Sequence, residues 1–543
     1  MKKSIAIAVG CTVLLSLFCG CSKQDFDDKF SDPSKTTQVS CDKLMTGVFR
    51  VGCYMYTSFG YPTYWRLYTW EGLMGQLTQQ KGFTNDSGGV YYLADSYATN
   101  RWNNFYNVLA QYRVMQNKYE SETDTQKAVD VLFLDITEIF VYDQLAQMVD
   151  AFGPVPFTKA GFLGVTSDLE SSYPAYDSDE DLYKMMIERL GAIYTELKAY
   201  NQTLGLSELK AQDPVNGGDI NKWIRYANSL RLRLANHVAT KGSLTSMAQA
   251  AIKECLGRDL VTDLDNGIFG HISTAGMNDG RFWEWLRNGY AGDGRNVTAS
   301  QAMIDAMRVT GTDDPRLKII YHPNGNGEFV GKHVHELKKD QEENDRKGSN
   351  NWTERVYSTL DSVTFIANGL METPILTPSE VYFIKAEAIQ KGYASGDAKA
   401  AFVDGVKYSI LQYYKSNMNA APQGGMSTYS HYRATAVPSD ADITAYANAV
   451  WDEYTDKLEA IMTQKWLHLG LTDAHESWTD IRRTGYPKLD YPRDSQAQMN
   501  ANIIQRILYP LVEKSNNTAN YTAATASFTD SNDTVLFWAT KLQ

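Results

Sequence analysis

"TPSEVYFIKAEAIQKGYASGDAKAAFVDGVKYSILQYY" runs from Thr377 to Tyr414 and reads as two helices joined by a tight turn. Thr377 to Glu380 spells Thr-Pro-Ser-Glu, a helix-start pattern in which a hydroxyl caps free amides and proline sits where no donor is needed. Ala386 and Ala388 keep the first helix slim, Gly392-Tyr393 and Gly396-Asp397 end it, and a second helix starts at Ala398. Small residues let antiparallel helices approach closely, so the stretch is an αα-hairpin.

Ala398 and Phe402 keep the Ala-x3-Phe spacing of the second helix of a tetratricopeptide repeat. The first helix does not match that signature and no strict period of about 34 residues recurs, so a plain helical hairpin stands as the other reading. Further helices follow the same logic. In "INKWIRYANSLRLRLANHVAT" (Ile220–Thr240), Trp223, Ala227, Leu230, Leu234 and Val238 fall on one face, with Asp219 as N-cap. "AVDVLFLDITEIFVYDQLAQMVDAFGPVP" (Ala128–Pro156) is apolar on several sides and is expected as a buried helix stopped by Gly153 and Pro154. "RWNNFYNVLAQYRVMQNKY", "DLYKMMIERLGAIYTELKAY" and "NAVWDEYTDKLEAIMTQKWLHLG" are amphipathic helices. The class is mainly α. Residues 258–376 differ: Gly, Asp, Asn, His and Trp with little helical period, including the charged "ELKKDQEENDRKGSNN". They are expected to be a loop-rich insertion between two parts of a helical core, 41–257 and 377–543, the second interrupted by a loop at 417–442. Loops on a rigid scaffold are where binding residues collect.

The chain opens with a basic Met1-Lys2-Lys3, an apolar run from Ile5 to Phe18, and then "CGCSKQDFDD". The run matches an export signal over 1–20 and is too short to span a bilayer. Gly20 before Cys21 resembles a lipobox, with Cys21 as the lipidated residue and Cys19 as a second candidate; residues 21–40 read as an acidic tether. The net charge of -12 becomes -14 once Lys2 and Lys3 are removed, which speaks against nucleic acid, since no basic stripe offers to neutralise phosphates. Cys41, Cys53 and Cys255 remain, an odd number that excludes a disulfide framework, with Cys41 and Cys53 the easiest pair to bridge. Tyr, Phe and Trp number 34, 20 and 11, and the excess of Tyr and Trp suits either a large core or a stacking surface with polar edges.

Motifs for catalysis are missing. No Gly-x-Ser-x-Gly elbow occurs, and His335-Glu336 and His475-Glu476 lack the second histidine of a zinc protease. "GNGEFVGKH" (Gly325–His333) has the wrong spacing for a phosphate loop and is expected as a Gly-Asn turn. His333 and His335 would share a face of a strand but have no evident third metal ligand, and "DLDNG" (Asp263–Gly267) is too short for a calcium loop. No cofactor or metal is expected.

Taken together, the signal, "RWNNFYNVL", "YDQLAQMVDAFGPVPFTKA", "WIRYANSLRLRLANHV", the Thr377 hairpin and "QKWLHLG...ESWTDIRRTGYPKL" resemble the SusD/RagB family of nutrient-binding outer-membrane lipoproteins, in a divergent branch. The resemblance covers nearly the whole chain. It implies about four tetratricopeptide-like helix pairs with a ligand platform, a lipid anchor in the outer membrane facing the cell exterior, and no catalysis. It also implies a SusC-like TonB-dependent transporter as partner and an oligosaccharide, or in some relatives a peptide, as ligand. A surface glycoside hydrolase and a protein-binding repeat scaffold are the readings from other classes. "RRTGYP" (Arg482–Pro487) is read as structural, its arginines satisfying terminal helix carbonyls.

The ligand is expected at "GRFWEWLRNGYAGDGRN", where Trp283, Trp285 and Tyr290 offer ring faces and Arg281, Asn288 and Arg295 offer hydrogen bonds. A second candidate is "FTNDSGGVYYLADSY", with Asn85, Asp86, Tyr91 and Tyr92, and a third is "FGYPTYWRLYTW" (Phe59–Trp70).

Overall fold

The computed structural model describes residues 39–56, 72–82, 95–200, 204–270, 298–350, 352–366, 368, 372–420, 432–491 and 503–540. Two units are distinguished, Met1–Ser40 and Cys41–Gln543, and the second holds the described helices. Its longer helices are α1 (Cys41–Tyr56), α2 (Asp95–Glu120), α3 (Asp124–Phe152), α4 (Asp179–Ala199), α5 (Ile220–Val238) and α6 (Thr245–Leu256). They continue with α7 (Lys338–Asn350), α8 (Pro378–Gln390), α9 (Ala398–Met418), α10 (Asp440–Glu453), α11 (Lys457–Leu469) and α12 (Ala474–Thr484). The fold is mainly helical, and chain neighbours pair: α2 packs on α3, α4 on α5, α5 on α6 and α8 on α9. Strands are short, Ile268–Gly270 antiparallel to Thr373–Leu376 and Tyr321–His322 antiparallel to Thr359–Leu360. No helix among the described residues is long and apolar enough to cross a membrane.

The Thr377 hairpin forms as its sequence dictates. The Thr377 hydroxyl accepts the Glu380 N–H at 3.3 Å, Pro378 opens α8, and Asp397 caps α9 through the Ala400 N–H at 3.0 Å. The helices meet where α9 is bare: a Cβ on Gly405 would lie 2.7 Å from the Phe383 ring. Ser379 bonds the Gly405 carbonyl at 2.7 Å, and Phe402 packs between Phe383 and Trp451.

Helix α3 is buried along its C-terminal half and ends inside the protein, so its last carbonyls need donors other than water. Gly153, at φ 79°, donates its N–H to Val149 O at 2.8 Å. Arg482 donates to Asp150 O and to Gln505 O at 2.7 and 2.8 Å, the Ile507 N–H reaches Ala151 O at 2.7 Å, and Arg506 binds Phe152 O. The first arginine of "RRTGYP" thus satisfies a terminal carbonyl, but that of a distant helix. The second, Arg483, is buried in ion pairs with Glu387 of α8 and with Asp480 at 2.7 Å.

These pairs belong to a polar web that joins six helices. Arg233 of α5 grips Glu380 of α8 with two bonds of 2.6 Å, and Lys465 of α11 lies 2.8 Å from both Glu476 and Asp480 of α12. Glu476 also binds His237 of α5 at 3.0 Å; Tyr183 of α4 bridges the other imidazole nitrogen to Asp150 of α3. Burial alone would lower the pKa of His237, but the carboxylates of Glu476 and Asp150 outweigh it and raise the value above the usual range.

One open pairing is ruled out and two expectations are corrected. Cys41 and Cys53 both lie on α1, where twelve residues correspond to about 18 Å of rise, far beyond disulfide reach. The Cys41 thiol is free and buried, 3.8 Å from the Glu122 carboxylate, and burial together with Asp130 and Glu122 drives its pKa upward. "NAVWDEYTDKLEAIMTQKWLHLG" is two helices, because Asp456 caps α11 at the Leu458 N–H (2.9 Å) and Lys457 satisfies the carbonyls of Trp451 and Tyr454. The charged "ELKKDQEENDRKGSNN" contains α7, a helix with no apolar stripe that is braced by Lys347–Glu343 at 3.0 Å. The two loop motifs form turns: Asn324 accepts the N–H groups of Asn326 and Glu328, and Asp263 those of Asp265 and Asn266.

Gly405→Leu is expected to destabilise the chain by about 1–3 kcal/mol through overpacking against Phe383, seen as a lower denaturant midpoint. Gly47→Ala on α1, where an added Cβ meets nothing within 4 Å, is expected to be neutral or stabilising by up to about 1 kcal/mol. Because the folded pKa of His237 is raised, its protonation stabilises the fold fully below about pH 6.5, and that contribution disappears as pH rises through the folded value. The melting-temperature advantage over His237→Gln should therefore be greatest below about pH 6.5 and shrink as pH rises above it; an advantage that grows with pH would contradict the assignment.

Candidate functional site

The short helix Gly72–Leu77 and the turn after it are bound tightly to α11 and α12. Gln80 donates to Trp466 O at 2.6 Å and to the Ser477 hydroxyl at 2.8 Å, while the Trp466 indole returns a bond of 2.9 Å to Thr78 O. Gln79, held at φ 54°, reaches Asp490 O at 2.6 Å. The turn delivers Gly82 to Thr298, where its N–H meets the carbonyl at 2.9 Å. Only glycine fits, since an added Cβ would lie 2.4 Å from Ala299 O. Ala299 is itself bonded to Ser358 and Lys332, so the junction is fixed from three sides.

This junction matters because of what leaves it. Residues 83–94 begin beside Gly82, and residues 271–297 end beside Thr298. Asn85, Asp86, Tyr91 and Tyr92 belong to the first stretch and Arg281, Trp283, Trp285, Asn288, Tyr290 and Arg295 to the second; all ten lie outside the described residues, as do Cys21 and Phe59–Trp70. The two stretches expected to hold ligand therefore join the described chain at hydrogen-bonded neighbours, Gly82 and Thr298.

Next to the junction is a cleft of about 280 Å³ whose lining includes Gln79, Gln301, His333, Tyr454, Trp466 and Asp490. Trp466 is the buried floor, 2% exposed, and Tyr454 comes from the break between α10 and α11. Polar groups surround the rings. Gln301 bonds Asp305 at 2.7 Å, Lys488 pairs with Glu459 at 3.0 Å, and His335, its ring centroid 5.5 Å from that of His333 and tilted by 36°, binds the Asp490 carboxylate. The two histidines thus stand in a turn, with the His335 N–H bonded to His333 Nδ1 at 3.2 Å. Lys332 is neutralised by Asp345 at 2.7 Å, whereas Lys81 is buried at the junction and has its pKa lowered to about 8 by burial and by the charge of Lys332. Among the described residues, Cys41, Glu122 and Asp130 bring three potential metal-ligand atoms within 4.8 Å, and Glu122 is already paired with Lys118 at 2.8 Å.

Aromatic rings beside amide, imidazole and charge-paired groups can hold a polyhydroxylated ring or an extended polar chain. Sequence reasoning missed this cleft because its residues come from five separated segments. The signals present were the Asp456 cap, which turns Tyr454 out of a helix, and Pro487, which follows a cis peptide bond and opens the wall Pro487–Asp490.

Residues 68–539 match the family model described as "Susd and RagB outer membrane lipoprotein", SusD-like. The chain belongs to this family. SusD-like solved structures share the fold. A chitin-binding protein aligns at TM-score 0.72 with 22% identity, covering 91% of this chain and 100% of its own. A SusD homolog from Bacteroides fragilis aligns at 0.70 with 17% identity, 92% and 100% covered. A chitin-binding SusD homolog from Flavobacterium johnsoniae aligns at 0.67 with 19% identity, 92% and 99% covered. No curated protein matches the chain. The SusD/RagB assignment makes this a nutrient-binding type of outer-membrane lipoprotein.

Gly82→Ala is expected to push the two roots apart. Circular dichroism should keep the helical signal while the melting temperature falls, by the equivalent of about 1–3 kcal/mol. An unchanged melting temperature would show that the Gly82–Thr298 contact is not tight.

Proposed function

We propose that this chain is a glycan-capturing lipoprotein, anchored through Cys21 and facing the cell exterior, that binds oligosaccharide without turnover and passes it to a SusC-like TonB-dependent transporter. The observation that carries the reading is the joint rooting of both aromatic stretches beside a cleft of rings and hydrogen-bonding groups, in a chain of the nutrient-binding SusD/RagB family. Chitin binding in two structural relatives makes chito-oligosaccharides a sensible first ligand. The charged rim, with Asp305, Glu459, Lys488 and Asp490, favours a second reading, in which the cleft holds an extended peptide.

Calorimetric titration of the full chain with chito-oligosaccharides, then plant, microbial and mucin glycan pools, then a peptide pool, tests both readings. Saturable binding of an intact glycan is expected, weakened about tenfold by Tyr454→Ala and abolished or strongly reduced by Trp283→Ala or Tyr91→Ala. Heat from peptides alone transfers the protein to the peptide reading, and a cleaved product would overturn capture without turnover.

A further inference from the structure

A separate cavity of about 350 Å³ lies between the start of α4 and the C-terminal segment, and it shares no lining residue with the cleft. Its walls are aromatic. Tyr176 precedes α4, and Phe528 and Phe537, both half-buried, come from the C-terminal segment. At the base is Arg506, with no exposed surface. Its Nη1 binds Asp530 at 2.7 Å and its Nη2 binds Phe152 O, but its Nε–H has no acceptor. An unmatched buried donor has lost its water without gaining a partner, a cost that a ligand oxygen would recover.

The acidic groups here play different roles. Asp177 is spent: it accepts the N–H groups of Phe157 and Thr158 and the Thr158 hydroxyl. Asp530 balances Arg506 and also holds Lys514 at 2.6 Å. Asp179, the first residue of α4, uses one oxygen on the Glu180 N–H at 3.1 Å, and burial pushes its carboxyl up to about 6 against backbone donors and Arg506, which lower it. Among the described lining groups the cavity therefore offers the Arg506 Nε–H, one Asp179 carboxylate oxygen and the exposed Ser527 hydroxyl, between aromatic faces. An anion would meet Asp179 with no free cation to balance it. A purely apolar ligand would leave both polar groups unmatched. A neutral ring with neighbouring hydroxyls answers donor and acceptor together and stacks its C–H face on a ring.

From this arrangement we infer a second carbohydrate site, in which one neutral sugar residue stacks on Phe528 or Phe537 and places its hydroxyls between Asp179 and Arg506. The ligand class rests on the glycan reading above; the location does not. Two sites on one chain would make the second contact of a long glycan intramolecular and slow its escape.

Saturation-transfer NMR on the full chain tests the site with neutral monosaccharides (glucose, galactose, mannose and N-acetylglucosamine), with glucuronate and methylammonium as charged controls. A neutral-sugar signal is expected that survives Tyr454→Ala in the cleft but falls at least about fivefold in both Asp179→Asn and Phe528→Ala, the loss of one hydrogen bond or one stacking face. Asp179→Asn keeps the bond to the Glu180 N–H, so it reports on the site even if Phe528→Ala unfolds the C-terminal segment. Sugar binding that disappears with Tyr454→Ala and persists in the other two variants overturns the second site while leaving glycan capture intact. A signal from methylammonium or glucuronate instead of neutral sugar overturns the ligand class. Absence of any sugar signal, together with no oligosaccharide heat, defeats the glycan reading itself.

Discussion

The end of α3 is the constraint on which much of this architecture depends. A helix that stops inside a protein leaves a row of carbonyls at the negative end of its dipole, and water cannot reach them. Here the donors come from far along the chain: Arg482 on α12, and Arg506 and the Ile507 amide in the C-terminal segment. Satisfying one buried helix end therefore fixes where α12 and the last segment must lie. From α12 the chain passes directly into Pro487–Asp490, one wall of the cleft, and Arg506 in turn lines the second cavity. Both cavities are thus positioned by the same requirement.

Around that end the charged web adds specificity rather than simple stability. Desolvating Arg233, Glu380, Lys465 and Glu476 is expensive, and close pairing in a buried site roughly offsets that expense. Removing one member would leave its partner buried and unpaired, a far larger penalty than the pair itself is worth. The web therefore acts against alternative helix arrangements, because any other packing of α5, α8, α11 and α12 strands a charge. His468 shows the opposite solution. Burial, with Arg316 and Lys465 nearby, lowers its pKa to about 3, so it serves as a neutral hydrogen-bonding link between Thr377 and Ser409.

Much of this was legible in the sequence wherever the cause is local. The caps at Thr377 and Asp219, the stop at Gly153 and the mainly helical class follow from a few adjacent residues, and the structure has them all. Arg482 was legible by role but not by partner, since nothing near residue 482 identifies the carbonyl of Asp150. Helix α7 escaped because hydrophobic period is the main signal for a helix, and α7 has none. The cleft escaped for a different reason: Gln301, His333, Tyr454 and Asp490 meet only after the helices have packed. The ten expected ligand residues lie outside the described residues, so what the structure adds is the common root of their two stretches.

The Gly82–Thr298 junction also bears on how such a protein diversifies. Closing a longer loop between fixed ends adds only about 0.6 kcal/mol per doubling of length. Changes of length between residues 83 and 94 or between 271 and 297 therefore add little closure cost, while the single bond at the root keeps the attachment points Gly82 and Thr298 neighbours. A body of this kind tolerates exchange of the segments attached there. That accords with relatives that superpose over nine-tenths of the chain at only 17–22% identity.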